Sequence, residues 1–458
     1  MLQRAVKFWK LHKVPNLLVL ASLLFYSIFA YDLDREDFPK LLGLFLAVFI
    51  LHFKLIQFQK WNFKFLLVTG ILFRLVFLLA EPNLSQDFYR FIWDGELIKN
   101  GINPYLYLPN QLIARPDLPI ANAQLLFEGM GDLSARHYSN YPPVNQIIFS
   151  LSALLGGGSI LGSIIVMRLI IILADVGILY FGRKLLQKLN RPNYVALWYF
   201  LNPLVIIELT GNLHFEGVML FFFVWSLHIV SIKKNVWAAP IYAISIMVKL
   251  VPILFLPMFL QYLGFKKSVL FYTLVSTTCL LLLLPFYDTA FIDNYAETIG
   301  LWFSNFEFNA GIYNAVKKIA VICFDAKPWE LVKVYGSLLA KAVIVGSVVL
   351  GLFRSNRKFE NLLTSMLILL SAYYFLSSTV HPWYVVFLIV LCMLGRYRFA
   401  MVWSLTAVLS YSAYTNPDFK ENLWLVAFEY ILVFAFLIYE IVGKGGKKLH
   451  FFKKLPLP

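Results

Sequence analysis

The sequence predicts an all-α protein that crosses a lipid bilayer many times. Of its 458 residues, 60% are hydrophobic and only 14% are charged, and the mean hydropathy is +0.73. An ordinary soluble protein is about half apolar and about a quarter charged, and disordered chains lack the Phe, Leu, Ile and Val that abound here. Because one span takes about 20 residues, the hydrophobic content is enough for about 14 spans.

The charge balance indicates a membrane partner. The net charge of +15 comes from 40 Lys and Arg residues against 25 Asp and Glu residues. Such an excess in a soluble protein would raise the question of nucleic-acid binding, but the sequence contains no nucleic-acid motif. Polytopic membrane proteins hold Lys and Arg on the cytoplasmic side of their spans. We therefore expect a lipid bilayer as a partner, and no nucleic acid.

Alternation of charge with apolar runs predicts the topology. The first apolar run, residues 17–30, follows a cationic stretch as in a signal peptide, but acidic residues rather than a small-x-small cleavage site come next. We expect a retained first span and both termini in the cytoplasm. Cationic clusters then fall on the cytoplasmic side under one assignment, at 54–64, 183–191, 233–234, 266–267, 354–358, 396–398 and 444–454.

One apolar run is too short to count as a membrane span. Residues 144–155 and 160–181 are separated by Gly156, Gly157 and Gly158, and the topology requires an odd number of crossings there. The first piece has about 12 residues, fewer than a span needs. We interpret it as a juxtamembrane or re-entrant helix, with a spanning helix as the open alternative.

We expect a single membrane domain over residues 1–458 with two long outer segments. The first outer loop, 81–145, is the expected catalytic loop, and the second outer segment is 288–329. The first outer loop has 65 of the 458 residues but seven of the 25 acidic residues. Those seven are Glu81, Asp87, Asp94, Glu96, Asp117, Glu128 and Asp132. Shorter outer turns are predicted at 211–217, 249–252, 377–384 and 416–422.

A helix on the outer membrane surface is predicted over residues 85–100. Ser85 is a plausible N-cap, and Asn100 followed by glycine is a plausible end. Asp87, Arg90 and Asp94 then share one face. The helix dipole alone favours an acidic residue in the first turn, and Arg90 with Asp94 suits an ordinary ion pair. Both readings of this face, catalytic and structural, stay open from spacing alone.

The loop motifs resemble those of GT-C glycosyltransferases. The residues that carry the likeness are Ser85-Gln-Asp87-x-Tyr89-Arg90-x-x-Trp93-Asp94-Gly95, Gly101-Ile-Asn103-Pro104-Tyr105, Tyr141-Pro142-Pro143, and, more loosely, Lys249-Leu-Val-Pro252 and His381-Pro-Trp-Tyr384. The nearest likeness is to α-mannosyltransferases of lipoglycan and GPI-anchor assembly. The resemblance implies a GT-C-like helix bundle with juxtamembrane helices on the first outer loop, in a bacterial cytoplasmic membrane with the active site on the outer face.

Roles follow for individual residues. The resemblance implies Asp87 as the catalytic base. Lys249, Arg90 and His381 are candidates for binding the donor phosphate, since a lysine that interrupts an apolar run is usually functional, although Lys249 could instead snorkel to the interface. His381 stands beside the aromatic pair Trp383-Tyr384, which could equally belong to an interfacial aromatic belt.

Acceptor or sugar contacts are expected from a further set of polar residues. These are Asp94, Tyr141, His214 and Glu216. The spacing of His214 and Glu216 is a weak metal signal, so no metal ligands are assigned. The family usually has an acidic residue where this chain has Gln86, which puts metal participation in doubt; no cofactor is certain, and a divalent cation remains possible.

The sequence is compatible with two classes of membrane protein. The first is a membrane glycosyltransferase that moves a hexose, expected to be mannose, from a polyprenyl-phosphate donor to a glycan or glycolipid acceptor by an inverting mechanism. The alternative is a secondary transporter or lipid-linked-sugar flippase, which would show broken helices in corresponding halves of the chain. The aromatic and amide residues of the second outer segment suit either sugar recognition or a membrane-surface anchor.

Overall fold

The computed structural model describes residues 2–304 and 306–445. Most of the predicted C-terminal cationic cluster therefore lies outside the described residues. The α-helices are α1 (Leu2–Tyr31), α2 (Phe38–Gln59), α3 (Phe63–Val76), α4 (Asp87–Lys99), α5 (Pro109–Leu112), α6 (Ala123–Ala135), α7 (Pro143–Leu155), α8 (Ile160–Lys188), α9 (Ala196–Phe200), α10 (Pro203–Val205), α11 (Glu216–Ser231), α12 (Asn235–Val248), α13 (Phe259–Leu263), α14 (Phe265–Leu283), α15 (Phe291–Ser304), α16 (Gly311–Phe324), α17 (Pro328–Leu352), α18 (Phe359–Leu376), α19 (Val385–Leu394), α20 (Phe399–Thr406) and α21 (Leu423–Gly445).

Short helices of other types join these elements. Asn193–Val195, Val251–Met258, Leu284–Phe286, Pro382–Tyr384 and Ala407–Thr415 are 3-10 helices, and Ile206–Gly211 is a π-helix. The described residues form no β-strand, and their extended pairing is one isolated bridge between Phe308 and Thr379. The predicted all-α class is confirmed.

The described residues contain fewer helices of full span length than the roughly 14 spans expected. Seven helices in the described ranges are long and apolar enough to cross a membrane, namely Lys13–Tyr31, Phe38–Gln59, Ile160–Lys188, Phe265–Phe286, Pro328–Leu352, Phe359–Leu376 and Leu423–Gly443. The pair Asn193–Phe200 and Pro203–Gly211, bent by 50°, makes an eighth if it is one span. The remaining apolar sequence forms helices of 10–17 residues.

Helix α7 is one of the short apolar helices. It has 13 residues and ends at Gly156, which agrees with the prediction that this piece is shorter than a span needs. Gly157 and Gly158 follow with φ of 62° and 80°, a backbone conformation that glycine adopts without steric cost. The chain can therefore reverse sharply before α8 begins at Ile160.

The turns predicted to be cytoplasmic contact one another. Arg191, just after α8, donates through Nη1 to the carbonyl of Met393 at 2.9 Å and to that of Gly395. Arg396 pairs with Glu360 at 3.0 Å. Near its other end, α8 carries Arg168, about 30 Å away from its last turn at 1.5 Å per residue. The two sets of predicted turns therefore meet at opposite ends of α8.

Buried arginines hold that other end together. Arg168 donates to the carbonyls of Leu78, Ala80, Thr210 and Gly211 at 2.7–3.1 Å. These bonds satisfy carbonyl groups that an irregular backbone leaves open in an apolar interior. Arg168 is thus bound to the backbone and forms no ion pair with a described residue.

Arg74 forms the ion pair that joins α3 to α8. Its Nε donates to Asp175 at 2.8 Å, and both side chains are fully buried. Arg74 also donates to the carbonyls of Gly70 and Phe200, and Tyr199 donates its hydroxyl to Asp175 at 2.7 Å. Three helices therefore depend on one buried carboxylate.

Replacing that carboxylate should destabilise the protein strongly. Asp175→Ala leaves Arg74 charged and unpaired in an apolar interior, which costs about 3–5 kcal/mol. We expect a much lower melting temperature in detergent and a reduced yield of folded protein. Asp132→Ala is the control, since its pair with Arg136 at 3.0 Å is mostly exposed and such pairs contribute little. Equal melting temperatures for both variants would contradict this account of the core.

Candidate active site

Asp87 opens α4 and has an unpaired carboxylate. The side chain is half-buried, and it accepts no hydrogen bond and forms no ion pair with any residue in the described ranges. Burial raises the pKa of this carboxyl to about 6, with Lys249 acting to lower it and Glu216 to raise it. A carboxyl poised near neutrality can accept a proton during a reaction.

The segment before Asp87 is fixed by hydrogen bonds. Asn83 donates its side-chain amide to the carbonyls of Phe29 and Leu33 at 3.1 and 3.2 Å. Gln86 is the N-cap residue of α4 without a side-chain cap bond, so the predicted Ser85 cap is one residue early. Ser85 Oγ instead accepts from the Asp87 amide at 3.3 Å. The predicted helix end is confirmed, since Asn100 is the C-cap and Gly101 follows with φ of 75°.

Arg90 and Asp94 form a buried ion pair. Arg90 Nε donates to Asp94 at 2.7 Å, and both residues are buried. Arg90 also donates to the carbonyls of Ser134 and His137, while Asp94 accepts from Ser139 and Gln146. The structure therefore shows the ion pair that their spacing allowed, and the phosphate-binding role of Arg90 and the acceptor-binding role of Asp94 stay predictions. Apart from Arg90 Nη2, which has no partner among the described residues, their bonds are satisfied inside the protein. The two residues tie α4 to the rest of the loop.

Gly95 lets α4 lie directly on α7. A Cβ at this position would stand 2.3 Å from the Phe149 carbonyl oxygen, which is backbone that cannot move aside cheaply. On the adjoining turn, the ring of Phe91 stacks on that of Phe149 with centroids 4.6 Å apart. Gly95 and Phe91 therefore supply the contacts that set the position of α4 on α7.

Lys249 and Glu216 form an ion pair close to Asp87. Lys249 lies just past the end of α12 in an extended conformation, and Glu216 is the first residue of α11. The Lys249 ammonium also lies 5.6 Å from the ring centroid of Tyr384. Glu216 is 3% exposed, and its second oxygen, Oε2, has no partner among the described residues. Buried polar atoms without partners are rare and mark positions where a ligand can bind.

Four rings stack in a row beside this ion pair. His214 stacks on Trp383 with centroids 3.7 Å apart, Trp383 on His381 at 4.3 Å, and His381 on Phe308 at 4.9 Å. The bridge from Phe308 to Thr379 holds the second outer segment in this position. The row thus joins three segments that the sequence places far apart.

The histidines of this row are neutral. Burial, aided by nearby Lys249, lowers the pKa of His381 to about 3. Burial likewise lowers the pKa of His214 well below its usual value, with Lys249 and His381 contributing. That His381 binds the donor phosphate stays a prediction, and the contact would be a hydrogen bond, because a neutral imidazole offers a phosphate at most that.

Tyr141 lies on the α4 side of the site. Its ring is edge-on to those of Phe91 and Phe149 at 4.9 and 5.6 Å. Burial raises the pKa of its hydroxyl well above the usual value, and the Asp87 carboxylate adds to this. Tyr141 is therefore a neutral hydroxyl near Asp87, as an acceptor-binding role would require.

The structure thus gathers six of the predicted site residues: Asp87, Tyr141, His214, Glu216, Lys249 and His381. They come from turns that the topology assigned to one side of the membrane. Two polar residues that sequence reasoning missed, Glu208 and Asn212, adjoin this group: Glu208 Oε2 lies 3.7 Å from His214 Nε2 and accepts from the Asn212 amide at 3.2 Å. The available signal was a glutamate within the apolar run before 211–217.

The polar residues present do not fit a divalent cation. No group of three or more His, Cys, Asp or Glu side chains in the described ranges could hold a metal ion. Lys249 neutralises Glu216, and Gln86 donates its amide to the Met130 carbonyl at 3.4 Å. A positive ammonium and an amide N–H do not ligate cations. The site instead offers one proton acceptor and one cation.

The fold and the site define a polytopic membrane protein with an unpaired, half-buried carboxylate on its first long loop. Residues 41–264, just under half of the chain, match the family model described as alpha-(1->6)-mannopyranosyltransferase, N-terminal domain. The chain is 22% identical over 182 residues to alpha-(1->6)-mannopyranosyltransferase A of Mycobacterium tuberculosis, which is 40% of this chain and 33% of that protein. It is 27% identical over 147 residues to alpha-(1->6)-mannopyranosyltransferase B of Corynebacterium glutamicum, 32% of this chain and 23% of that protein.

These matches confirm the resemblance to mannosyltransferases of the GT-C superfamily, at low identity. The chain covers a third or less of the length of either relative. The matched residues include Asp87, Glu216 and Lys249 but end before the ring row reaches His381.

Asp87 should cost the protein stability at neutral pH. Its folded pKa is raised, so the folded state disfavours the charged carboxylate, and this penalty grows as pH rises from about 4 through 6. Asp87→Asn should therefore melt at a higher temperature than the wild type at pH 7.5, and the difference should shrink towards pH 4.5. Asp132→Asn, at an exposed position of the same loop, should melt as the wild type does at pH 7.5. A lower melting temperature of Asp87→Asn at pH 7.5 would disprove the assigned cause.

Proposed function

We propose that this protein is a membrane glycosyltransferase that moves a hexose, taken to be mannose, from a polyprenyl-phosphate donor to a glycan or glycolipid acceptor at the outer membrane face. The observation that carries the proposal is the unpaired carboxylate of Asp87, with a pKa near 6, beside the Lys249 ammonium. The named mannosyltransferase activity of the relatives supports mannose as the sugar. The predicted topology supports the outer face.

The proposed reaction is a single displacement. The acceptor hydroxyl oxygen forms a bond to the anomeric carbon while the bond from that carbon to the phosphate oxygen breaks. Asp87 takes the hydroxyl proton, and the bonding electrons leave with the lipid phosphate. Attack opposite to the leaving group inverts the anomeric centre, so the reaction needs no second nucleophilic carboxylate.

Lys249 has the chemistry to stabilise the departing phosphate. It is the one cation that the structure shows beside Asp87 with a solvent-accessible side chain, 28% exposed, whereas Arg90 is buried and His381 neutral. A fixed ammonium in a partly dry site stabilises developing negative charge far better than water does. The unpartnered atoms Glu216 Oε2 and His214 Nε2 are then available to sugar hydroxyls.

A transporter or lipid-linked-sugar flippase is the second candidate. The bent pair Asn193–Phe200 and Pro203–Gly211 is the feature that favours it. Such transporters carry broken helices in corresponding halves, whereas the described residues contain one such pair. Incubating purified protein with several radiolabelled polyprenyl-phosphate sugars and extracting the products decides between them. Sugar covalently attached to an acceptor supports the transferase, and movement of intact donor across vesicles without transfer supports the flippase.

Asp87→Asn should abolish transfer while the protein remains folded. Removing a general base lowers the rate by about 10²–10⁴-fold. In the wild type, kcat/KM should rise with pH through about 6, as the carboxyl loses its proton. Asp132→Asn should retain wild-type rates. Transfer by Asp87→Asn at a near wild-type rate would remove Asp87 from the base role.

Lys249→Ala should impair use of the donor more than that of the acceptor. The expected result is a higher donor KM and a lower kcat, since the variant loses the cation facing the phosphate. Because Lys249 lowers the pKa of Asp87, the acidic limb of the pH profile should also move above 6. Lys317→Ala is a matched control, because Lys317 forms a comparable half-buried pair with Glu307 on the second outer segment. An unchanged donor KM and kcat would indicate instead that the Lys249 side chain only extends to the membrane interface.

A further inference from the structure

Glu208 lies beneath the site and takes no part in the reaction proposed above. It is 1% exposed and sits in the π-helix Ile206–Gly211, within the bent pair of apolar helices. Charged side chains at such positions are costly and mark functional groups, and π-helices are frequent at functional sites. The residue therefore needs an explanation that the reaction itself does not supply.

Both oxygens of Glu208 accept hydrogen bonds. Tyr411 donates its hydroxyl to Oε1 at 2.6 Å, and Asn212 donates its side-chain amide to Oε2 at 3.2 Å. His214 Nε2 is 3.7 Å from Oε2, too far for a hydrogen bond. Glu208 thus fixes which way the Asn212 amide points, with its N–H towards Glu208 and its oxygen away from it.

The Asn212 oxygen in turn binds the backbone ahead of Asp87. Asn212 Oδ1 accepts from the Leu84 amide at 3.4 Å, and Tyr414 donates its hydroxyl to the Leu84 carbonyl at 3.2 Å. Leu84 is therefore held on both sides, three residues before Asp87. Tyr411 and Tyr414 lie one turn apart on the same 3-10 helix, with ring centroids 5.2 Å apart. We call Glu208, Asn212, Tyr411 and Tyr414 the Leu84 clamp.

The backbone at the clamp is strained. Leu213, between Asn212 and His214, has φ of 61°. A branched side chain rarely adopts this left-handed conformation, which persists only where the surroundings enforce it. As a result, the residues on either side of Leu213 have different partners. Asn212 accepts a hydrogen bond from the Leu84 amide, and His214 stacks on Trp383.

We infer that Glu208 is a positioning residue, which sets the place of the Asp87 carboxylate by orienting Asn212 and, through it, the backbone of Leu84. This rests on the proposed function, since it assigns Glu208 a part in the same site. Glu208 touches neither substrate nor reacting atoms. Displacement of a catalytic group by about 1 Å can lower a rate by about 10²-fold, so a small shift of Leu84 suffices.

The test uses Glu208→Gln and Tyr411→Phe in the full-length protein. The glutamine amide nitrogen cannot accept a hydrogen bond, so one of the two bonds to residue 208 is lost, while Tyr411→Phe removes only a hydroxyl. Each variant should lower kcat for sugar transfer by about 10- to 100-fold with the donor KM within about twofold. Glu440→Gln is the control, since Glu440 is also buried but binds the amides of Arg398 and Phe399 at the opposite end of the molecule.

A second measurement does not depend on transfer. Hydrogen–deuterium exchange of peptides covering residues 82–88 should be faster in Glu208→Gln and Tyr411→Phe than in the wild type and in Glu440→Gln. Unchanged exchange overturns the inference even if kcat falls, since Glu208 would then act otherwise than through Leu84. Faster exchange with unchanged kcat overturns it as well.

The two proposals fail in different ways. If the wild type transfers no sugar from any polyprenyl-phosphate donor, the proposed function fails, and the exchange measurement still shows whether Glu208 holds Leu84. If Glu208→Gln does not fold, Tyr411→Phe decides both readouts, because it removes the bond that holds Glu208 Oε1 in place without altering a buried charge.

Discussion

Buried charge has to be paired, and this constraint governs the architecture around the site. Removing one partner of a buried pair costs about 3–5 kcal/mol, and here Arg74 pairs with Asp175 and Arg90 with Asp94. Both pairs also bind backbone groups of neighbouring segments. The helices are thereby held at fixed relative positions, and a carboxylate left without a partner, that of Asp87, stands out against them. Its raised pKa is the electrostatic consequence.

Much of this arrangement is predictable from the sequence. The alternation of cationic clusters with apolar runs assigned the turns containing Asp87, Glu216, Lys249 and His381 to one side, and the structure brings them together. Gly101 marked the end of α4 because a left-handed residue there favours glycine. The buried ion pair of Arg90 with Asp94 is visible only in the structure, since spacing on a helix does not show whether a face meets solvent or protein.

Other features could not have been predicted. Composition counts apolar residues without showing which of them face lipid, and residues 203–220 are buried throughout, so composition does not show how the apolar content divides into helices. The neutrality of His381 follows from burial between Phe308 and Trp383, which brings together residues about 75 positions apart. Glu208 was hidden because its partners, Tyr411 and Asn212, are joined to it only by the fold.

The ion pair of Lys249 with Glu216 has a consequence for the reaction cycle. A lysine in a largely apolar setting is never left without a counter-ion, because Glu216 holds it before a donor binds. In the proposed reaction the donor phosphate replaces Glu216 as the counter-ion of Lys249. Once the sugar has been transferred, Glu216 pairs with Lys249 again. Exchange of one anion for another would then release the spent lipid carrier, so the same residue that competes with donor binding would speed the clearing of the site for the next turnover.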